Sequence, residues 1–466
     1  QMQRIAEIPF DSTRKMMTTV NEFENEYMVC TKGAIESILN NCNRILINGK
    51  IEKLDLSTKN KIMQNNLEMA KCALRVLACA YKMERKEQTI DKSEKNLVFA
   101  GLVGMIDPPR KEAKRAVERC FNAGMVPVMI TGDNKDTAMA IAKELGILKD
   151  GYEAVTGTEL DAMSDKELYK RVDKIRVYAR VSPENKIRIV KAWKKHGKTV
   201  AMTGDGVNDA PALKGADIGV GMGITGTEVS KSVSSMILAD DNFATIVVAI
   251  KEGRRIYANI QNVIVYLLAS NLAEVLIIFL ATLFNRTILL PIHLLWINLV
   301  TDTIPAIALG FEKEEKNIMR QKPRSASEKF FTPFLTLRIL IPGIIKTIVM
   351  FLIYFFVEAS YGAQMASAAV FTSLSIIEVL FAYVCRSDKR PVFKIGLFSN
   401  MVMVLCVICT LILQVLVISN PVTASWLKIP LMPNHVYIMI IVASIDCVVI
   451  FEFVKVILAK MFHKVK

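Results

Sequence analysis

A chain of 466 residues, 52% hydrophobic and with a mean hydropathy of +0.33, is long enough for two or three domains and too apolar for an ordinary soluble enzyme. Its net charge of +14 would suit a nucleic-acid binder, but many basic residues fall in joints between apolar runs, which argues for membrane topology and against nucleic acid. Nine cysteines, an odd number, form no disulfide-like framework, and the pair Cys406 and Cys409 lies inside an apolar run, where buried small hydrophobes are expected.

The chain opens Gln-Met-Gln-Arg, within what reads as a strand and with no cleavable signal, so the sequence is expected to be part of a longer protein. Residues 1 to about 255 mix charged and apolar residues as a globular protein does. An apolar run at 98–106 reads as a buried strand, followed by helical periodicity over 111–123 and a strand at 126–130. A helix through Leu145 comes next, then strands around 177–179 and 199–202. This alternation is a doubly wound α/β pattern, which puts chemistry in the loops after the strands.

Three such loops carry polar signatures. Thr131-Gly132-Asp133 offers a hydroxyl and amides to a phosphoryl oxygen. Lys186, after Arg180-Val181-Ser182-Pro183, supplies a cation. Thr203 to Asp209 sets Asp205, Asn208 and Asp209 on a glycine turn suited to Mg²⁺. Gly221-Met222-Gly223-Ile224-Thr225-Gly226 with Asp240 beyond it matches a dinucleotide fingerprint. The strand before it is short, so a structural glycine turn is the expected reading.

Six apolar runs, near 258–284, 289–310, 339–358, 365–385, 399–419 and 435–457, are each long enough to cross a hydrocarbon core as a helix. Basic residues concentrate in alternate joints. One set holds Lys251, Arg254 and Arg255, then Lys313 to Lys329, then Arg386 to Lys394, then Lys460 to Lys466; the other holds only Arg286 and Lys428. The positive-inside rule therefore predicts an integral membrane protein in contact with lipid, its soluble half and C-terminus cytoplasmic.

Inside the runs, Asn271 and Glu274 are three apart, and Asn298, Thr301 and Asp302 share a face ahead of Pro305. Glu378 lies in the fourth run, and the last run adds Asp446 and Glu452, the latter near enough to its end to reach water. A carboxylate in hydrocarbon costs about 2.5–3.5 kcal/mol even on lenient scales, so such groups face a partner, a cavity or an ion. Three acids, two amides and a hydroxyl, with no evident basic partner, predict a cation site; a hydrogen-bonded helix seam is the competing reading.

Asp107-Pro108-Pro109-Arg110, Thr131-Gly132-Asp133-Asn134 and TGDGVNDAPAL from Thr203 to Leu213 resemble the P-type ATPases, and the likeness runs over nearly the whole chain. It implies three parts. Residues 1–105 would be the C-terminal part of a nucleotide-binding domain, with Phe10, Lys15, Lys32, Gly33 and Arg75 contacting ATP. Residues 106–242 would be a haloacid-dehalogenase-like Rossmannoid phosphorylation domain, with Thr131, Gly132, Asp133, Lys186, Asn208 and Asp209 catalytic and Asp205 on Mg²⁺. Residues 243–466 would be a stalk and six transmembrane helices. SNLAE, NLVTD and SIIEVLF are similar to the ion site of sarcoplasmic-reticulum-type calcium pumps, which makes Asn271, Glu274, Asn298, Thr301, Asp302 and Glu378 the expected Ca²⁺ ligands.

The family's Asp-Lys-Thr-Gly-Thr string, its Thr-Gly-Glu-Ser loop and its first four membrane helices have no counterpart in these residues. This chain alone is therefore expected to hydrolyse no ATP, with a missing N-terminal half as partner and the plasma membrane as location if the source is bacterial. A membrane-anchored phosphatase and a regulatory subunit derived from a split pump remain the alternatives.

Overall fold

The computed structural model describes residues 2–11, 13–24, 26–71, 74–85, 94–105, 109–325 and 327–463. They divide into two compact units, Gln1–Val247 and Val248–Lys466.

The first unit holds three sheets. The largest combines β1 (Arg4–Asp11), β2 (Met16–Phe23), β3 (Glu26–Gly33), β4 (Cys42–Ile47), β5 (Lys50–Lys53), β6 (Arg75–Glu84) and β7 (Leu97–Met105). They lie in the order β1-β2-β3-β6-β7-β4-β5, and every pairing is antiparallel except β4 with β7. Ile38, Ala78, Leu97 and Phe99 form its core with the helices Ile35–Asn41 and Leu56–Lys71. The strand expected over 98–106 is thus present as β7, but it does not begin the parallel α/β array. Leu97 and Phe99 bury against this sheet, a long-range pairing that local periodicity cannot reveal.

The α/β part has two parallel three-stranded sheets. β8 (Met129–Thr131), β9 (Glu153–Thr156) and β10 (Ile175–Ala179) lie in the order β8-β10-β9; β11 (Ala201–Gly204), β12 (Ile218–Met222) and β13 (Met236–Leu238) lie in sequence order. Every residue of β10 is buried, as a central parallel strand covered by helices on both faces should be. Asn134 caps the helix Lys135–Glu144, and Ser182, followed by proline in the first turn, caps Pro183–Lys195.

The second unit has six helices long and apolar enough to cross a membrane: Phe243–Leu283, Pro291–Gly310, Pro333–Tyr361, Ala363–Cys385, Met401–Ser419 and Asn434–Phe462. The first, third and sixth outrun the expected segments because a helix does not stop where its residues become polar. The fourth helix has 83% of its apolar window buried against 28–44% for the others, so it is the hub of the bundle. Ala369, Phe371, Leu374 and Phe381 provide its core contacts.

The second spanning helix is not continuous. Pro291–Trp296 and Thr303–Gly310 are α-helical, and Ile297–Asp302 between them widens into a π-helical turn. Pro305 has no amide N–H for the carbonyl of Thr301 four residues back, and the Tyr266 hydroxyl donates to that carbonyl instead, at 3.2 Å. Glu452, expected to reach water, pairs with Lys455 at 2.8 Å and accepts the Val392 amide at 3.4 Å. Cys406 and Cys409 are both free thiols, and Cys409 is exposed rather than buried.

Candidate functional site

Two constellations of polar side chains stand out, one in each unit. In the first, the loop after β11 is shaped by one carboxylate. Asp209 Oδ2 accepts the backbone N–H groups of Asp205 and Gly206, each at 3.3 Å, while Oδ1 takes the Lys186 ammonium at 2.5 Å. Gly204 permits this close packing, since a Cβ there would lie 2.5 Å from that of Asp209. Asp209 is buried and committed to these donors, leaving Asp205 and Asn208 exposed at the lip of the loop. Of the two carboxylates on the turn, Asp205 is the one open to a metal. The Ser230 hydroxyl and the Thr227 amide, at the start of the helix Glu228–Val233, fix its backbone carbonyl at 3.0 and 2.8 Å.

The other loops gather at the same strand ends. Thr131 closes β8, its hydroxyl donates to Asp133 at 3.0 Å, and its backbone carbonyl accepts the Val181 amide beyond β10. Gly132 and Asp133 are exposed beside the capped N-terminus of Lys135–Glu144, which favours an anion. Lys186 lies one turn into Pro183–Lys195 and pairs with Asp209 on the loop after β11. A hydroxyl, amides, one cation and one open carboxylate are the parts that phosphoryl transfer with Mg²⁺ requires.

The glycine-rich turn at 221–226 has another job. The amides of Gly223, Ile224 and Thr225 and the Thr225 hydroxyl all donate to the Asp241 carboxylate, at 2.7–3.0 Å. Desolvation works to raise the Asp241 pKa, but these donors outweigh it and hold the carboxyl down at about 2. Those three amides face Asp241 and not a pyrophosphate. Asp240, the would-be ribose ligand, accepts from the Asn242 amide and the Thr245 hydroxyl at the start of the first spanning helix.

In the large sheet, Phe10 is 64% exposed near the end of β1. The Lys15 carbonyl accepts the Ala34 amide at 2.8 Å, which brings the β1–β2 hairpin against Lys32-Gly33-Ala34. A Cβ on Gly33 would collide with the Lys15 carbonyl and lie 2.6 Å from Met16 Cβ. Arg75 pairs its backbone with Met105, and its side chain lies outside the described residues, as do Asp107 and Pro108.

In the second unit, Glu274 of the first spanning helix, Asp302 of the π-helical turn and Glu378 of the fourth helix are all buried, and one carboxylate oxygen of each lies within 4.8 Å of the others. Four of their oxygens, Glu274 Oε1, Asp302 Oδ2 and both of Glu378, are buried without a hydrogen-bond donor among the described residues, and the Asp302 and Glu378 carboxyls come close enough to share a proton. Asn298 donates to the remaining Glu274 oxygen at 2.9 Å and Tyr266 donates to Asp302 Oδ1 at 3.3 Å. The Thr301 hydroxyl is turned back onto the Ile297 carbonyl at 2.9 Å. Asn271 is exposed, unlike the three acids. Buried oxygens left unpaired are costly, and hard oxygen donors aimed at one point suit a hard cation.

Sequence reading found the acids and missed two groups around them. Tyr266 carries no motif. Lys346 contradicts the expectation of no basic residue nearby: it is fully buried in the third spanning helix, donates to the Ser270 hydroxyl one turn before Glu274, and lies 4.3 Å from the ring centroid of Phe381, three residues after Glu378. A lone lysine in an apolar run is the same signal as a lone acid, and that signal was available at position 346.

The family description "P-type ATPase, cytoplasmic domain N" matches residues 1–112, and "Cation transporting ATPase, C-terminus" matches residues 286–457. The chain is also 44% identical to a protein named calcium-transporting ATPase 1 from Bacillus cereus, over 97% of this chain and 53% of that one. This chain belongs to the P-type cation-transporting ATPase family. Other relatives bear similar names: one from Lactococcus lactis is 44% identical over 85% of this chain and 45% of its own length, and one from Bacillus subtilis is 42% identical over 90% and 47%. The chain therefore spans about half the length of the curated relatives it matches. As in other P-type ATPases, the chain combines a mixed sheet-and-helix part with membrane helices, and it is an integral membrane protein.

Proposed function

We propose that the protein to which these residues belong is an ATP-driven pump that moves Ca²⁺ out of the cytosol through an aspartyl-phosphate intermediate. The carrying observation is the convergence of Glu274, Asp302 and Glu378, with four buried oxygens without a donor among the described residues, in a chain whose relatives are named for calcium transport. Ca²⁺ takes six to eight oxygens, whereas Mg²⁺ gives up its waters reluctantly, so a buried cluster of carboxylates favours the larger ion. Asn298, which already meets Glu274, supplies an amide oxygen to this assignment; Asn271, exposed, and Thr301, whose hydroxyl faces the Ile297 carbonyl, would have to turn toward the ion to join it.

In this reading 1–105 serves ATP through Phe10, Lys15, Lys32, Gly33 and Arg75, 106–242 serves phosphoryl transfer, and 243–466 serves the ion. Mg²⁺, when bound, neutralises phosphate charge at Asp205. Thr131, Gly132 and Lys186 meet the phosphoryl oxygens, while Asp209 holds Lys186 and the Asp205 amide in place. Asp133 orients the Thr131 hydroxyl, and Asn208 borders the metal on the same loop. The acceptor aspartate is not among these 466 residues. The soluble unit and C-terminus face the cytosol, so the ion enters from the side on which ATP is spent.

The test uses the full-length protein in sealed vesicles. ATP-dependent ⁴⁵Ca²⁺ uptake and Ca²⁺-dependent phosphoenzyme are expected, and Asp302→Asn should lose both by at least about a hundredfold, the scale of one missing charged ligand. Phosphorylation that stays Ca²⁺-dependent with unchanged affinity in Asp302→Asn would remove the calcium assignment.

A further inference from the structure

We infer that Glu94 is a positioning residue for the nucleotide: through Arg14 it braces the β1–β2 hairpin that carries Phe10 and Lys15. It rests on Phe10 and Lys15 being the ATP contacts proposed above. Both side chains are exposed, so their positions depend on the backbone that bears them. That backbone is irregular. The pairing of β1 with β2 shifts register between Ile8 and Asp11, and Lys15 has a left-handed φ of 56°, which costs a residue with a side chain about 1–2 kcal/mol. Asp11 Oδ1 accepts the amides of Thr13 and Arg14 at 2.9 Å, and the Asp11 carbonyl accepts the Lys15 amide at 2.7 Å. These bonds shape the turn from within.

Arg14 ties the turn to the rest of the sheet. Its Nη2 donates at 2.8 Å to the carbonyl of Pro9, the residue before Phe10, and its Nη1 donates to Glu94 Oε1 at 2.5 Å. The same Glu94 oxygen accepts the Thr18 hydroxyl at 2.8 Å. Thr18 in turn shares a hydrogen bond with the Thr31 hydroxyl at 3.0 Å, and both threonines are buried. Glu94 precedes β7, and β6 and β3 separate β7 from β2 in the sheet, so the carboxylate reaches the hairpin from a distant strand. One acid thus joins the β1–β2 turn, β2 and, through the paired hydroxyls, β3 at the residue before Lys32.

The Glu94 side chain is 14% exposed, and a charge-assisted bond shielded from water is stronger than one in the open. Arginine suits the role because its planar fork serves the carboxylate and the Pro9 carbonyl at once, which a single ammonium does less well. A bond that merely stabilised the sheet would show in the melting temperature. One that holds Phe10 and Lys15 in register shows in the affinity for ATP.

Displacement of trinitrophenyl-ATP by ATP on the full-length protein tests this without calling on transport, with thermal melting of the nucleotide-free protein alongside. Glu94→Gln and Arg14→Met should each weaken ATP binding by at least about fivefold and raise KM for ATP to match, while kcat at saturating ATP and the melting temperature hold. Because the two side chains act as one brace, the double variant should bind no more weakly than the weaker single. Unchanged affinity in the folded variants, additive losses in the double, or a fall in kcat at unchanged KM would overturn the proposal. Should either variant fail to fold, Arg14→Lys carries the same decision, since it keeps the charge and gives up the fork. Phe10→Ala and Lys15→Gln separate the two readings. Weaker ATP binding in these, with none lost in the Glu94 and Arg14 variants, ends the brace alone. Unaltered binding in both ends the ATP assignment of the hairpin and the brace with it.

Discussion

Asp205 and Asp209 are four residues apart on one loop, and the fold gives them opposite duties. Asp209 is buried, with Lys186 on one oxygen and two backbone amides on the other; Asp205 stays exposed with its backbone fixed. Sequence made both visible as acids on a glycine turn but could not rank them, because the ranking comes from Lys186, which lies 23 residues away. The division predicts different failures. If Asp205 holds Mg²⁺ as proposed, Asp205→Asn in the full-length protein should lower phosphoenzyme formation by at least about a hundredfold while the melting temperature holds, since nothing buried changes. Asp209→Asn should lower the melting temperature too, because the Lys186 ammonium loses its charged partner. Phosphorylation with normal Mg²⁺ dependence in Asp205→Asn would contradict the assignment.

At the scale of elements, the spanning helices were legible because hydropathy sums over 20 residues and survives local exceptions. The π-helical turn at Ile297–Asp302 was not, since it depends on Pro305 lacking an amide and on Tyr266 arriving from another helix. Equally invisible was the clasp that ties the helix ends. Arg386 makes a two-pronged ion pair with Glu312 at 2.8 and 2.9 Å and donates to the Gly396 carbonyl, while Asn400 reaches Glu312 and Asn259 reaches the Gly310 and Glu312 carbonyls. The Arg386 side chain is wholly inaccessible to solvent. Removing one partner of such a pair strands a buried charge, so Arg386→Met should destabilise the protein by about 3–5 kcal/mol. Adding Glu312→Gln to it should recover part of that loss, because the stranded carboxylate is then gone. Denaturation in detergent measures both, and equal stability of the single and double variants would show that the ion pair is not what holds these ends together.

For the whole membrane unit, the topology read from charge can be compared with which joints the helices bring together. Lys251, before the first span, pairs with Glu314 after the second at 2.5 Å, and Arg386, after the fourth, pairs with Glu312. At the other ends, Arg286 pairs with Glu358 at 2.7 Å, His293 meets the Leu427 carbonyl at 2.7 Å, and Tyr361 meets His435 at 2.6 Å. The joints therefore fall into two groups, one at each end of the bundle, and the basic-rich group is the one that holds Lys251, Lys313 and Arg386. Only that group has the excess of lysine and arginine that retains a loop in the cytoplasm. Two exposed positions report the orientation: Lys394 in the basic group and Leu431, 96% exposed, in the other. A membrane-impermeant maleimide applied to intact cells expressing the full-length protein should label Leu431→Cys. Lys394→Cys should react only after the membrane is opened, with peptide mapping to separate these sites from the native thiols. Labelling of Lys394→Cys in sealed cells, with Leu431→Cys protected, would place the soluble unit on the opposite face and reverse the direction of transport.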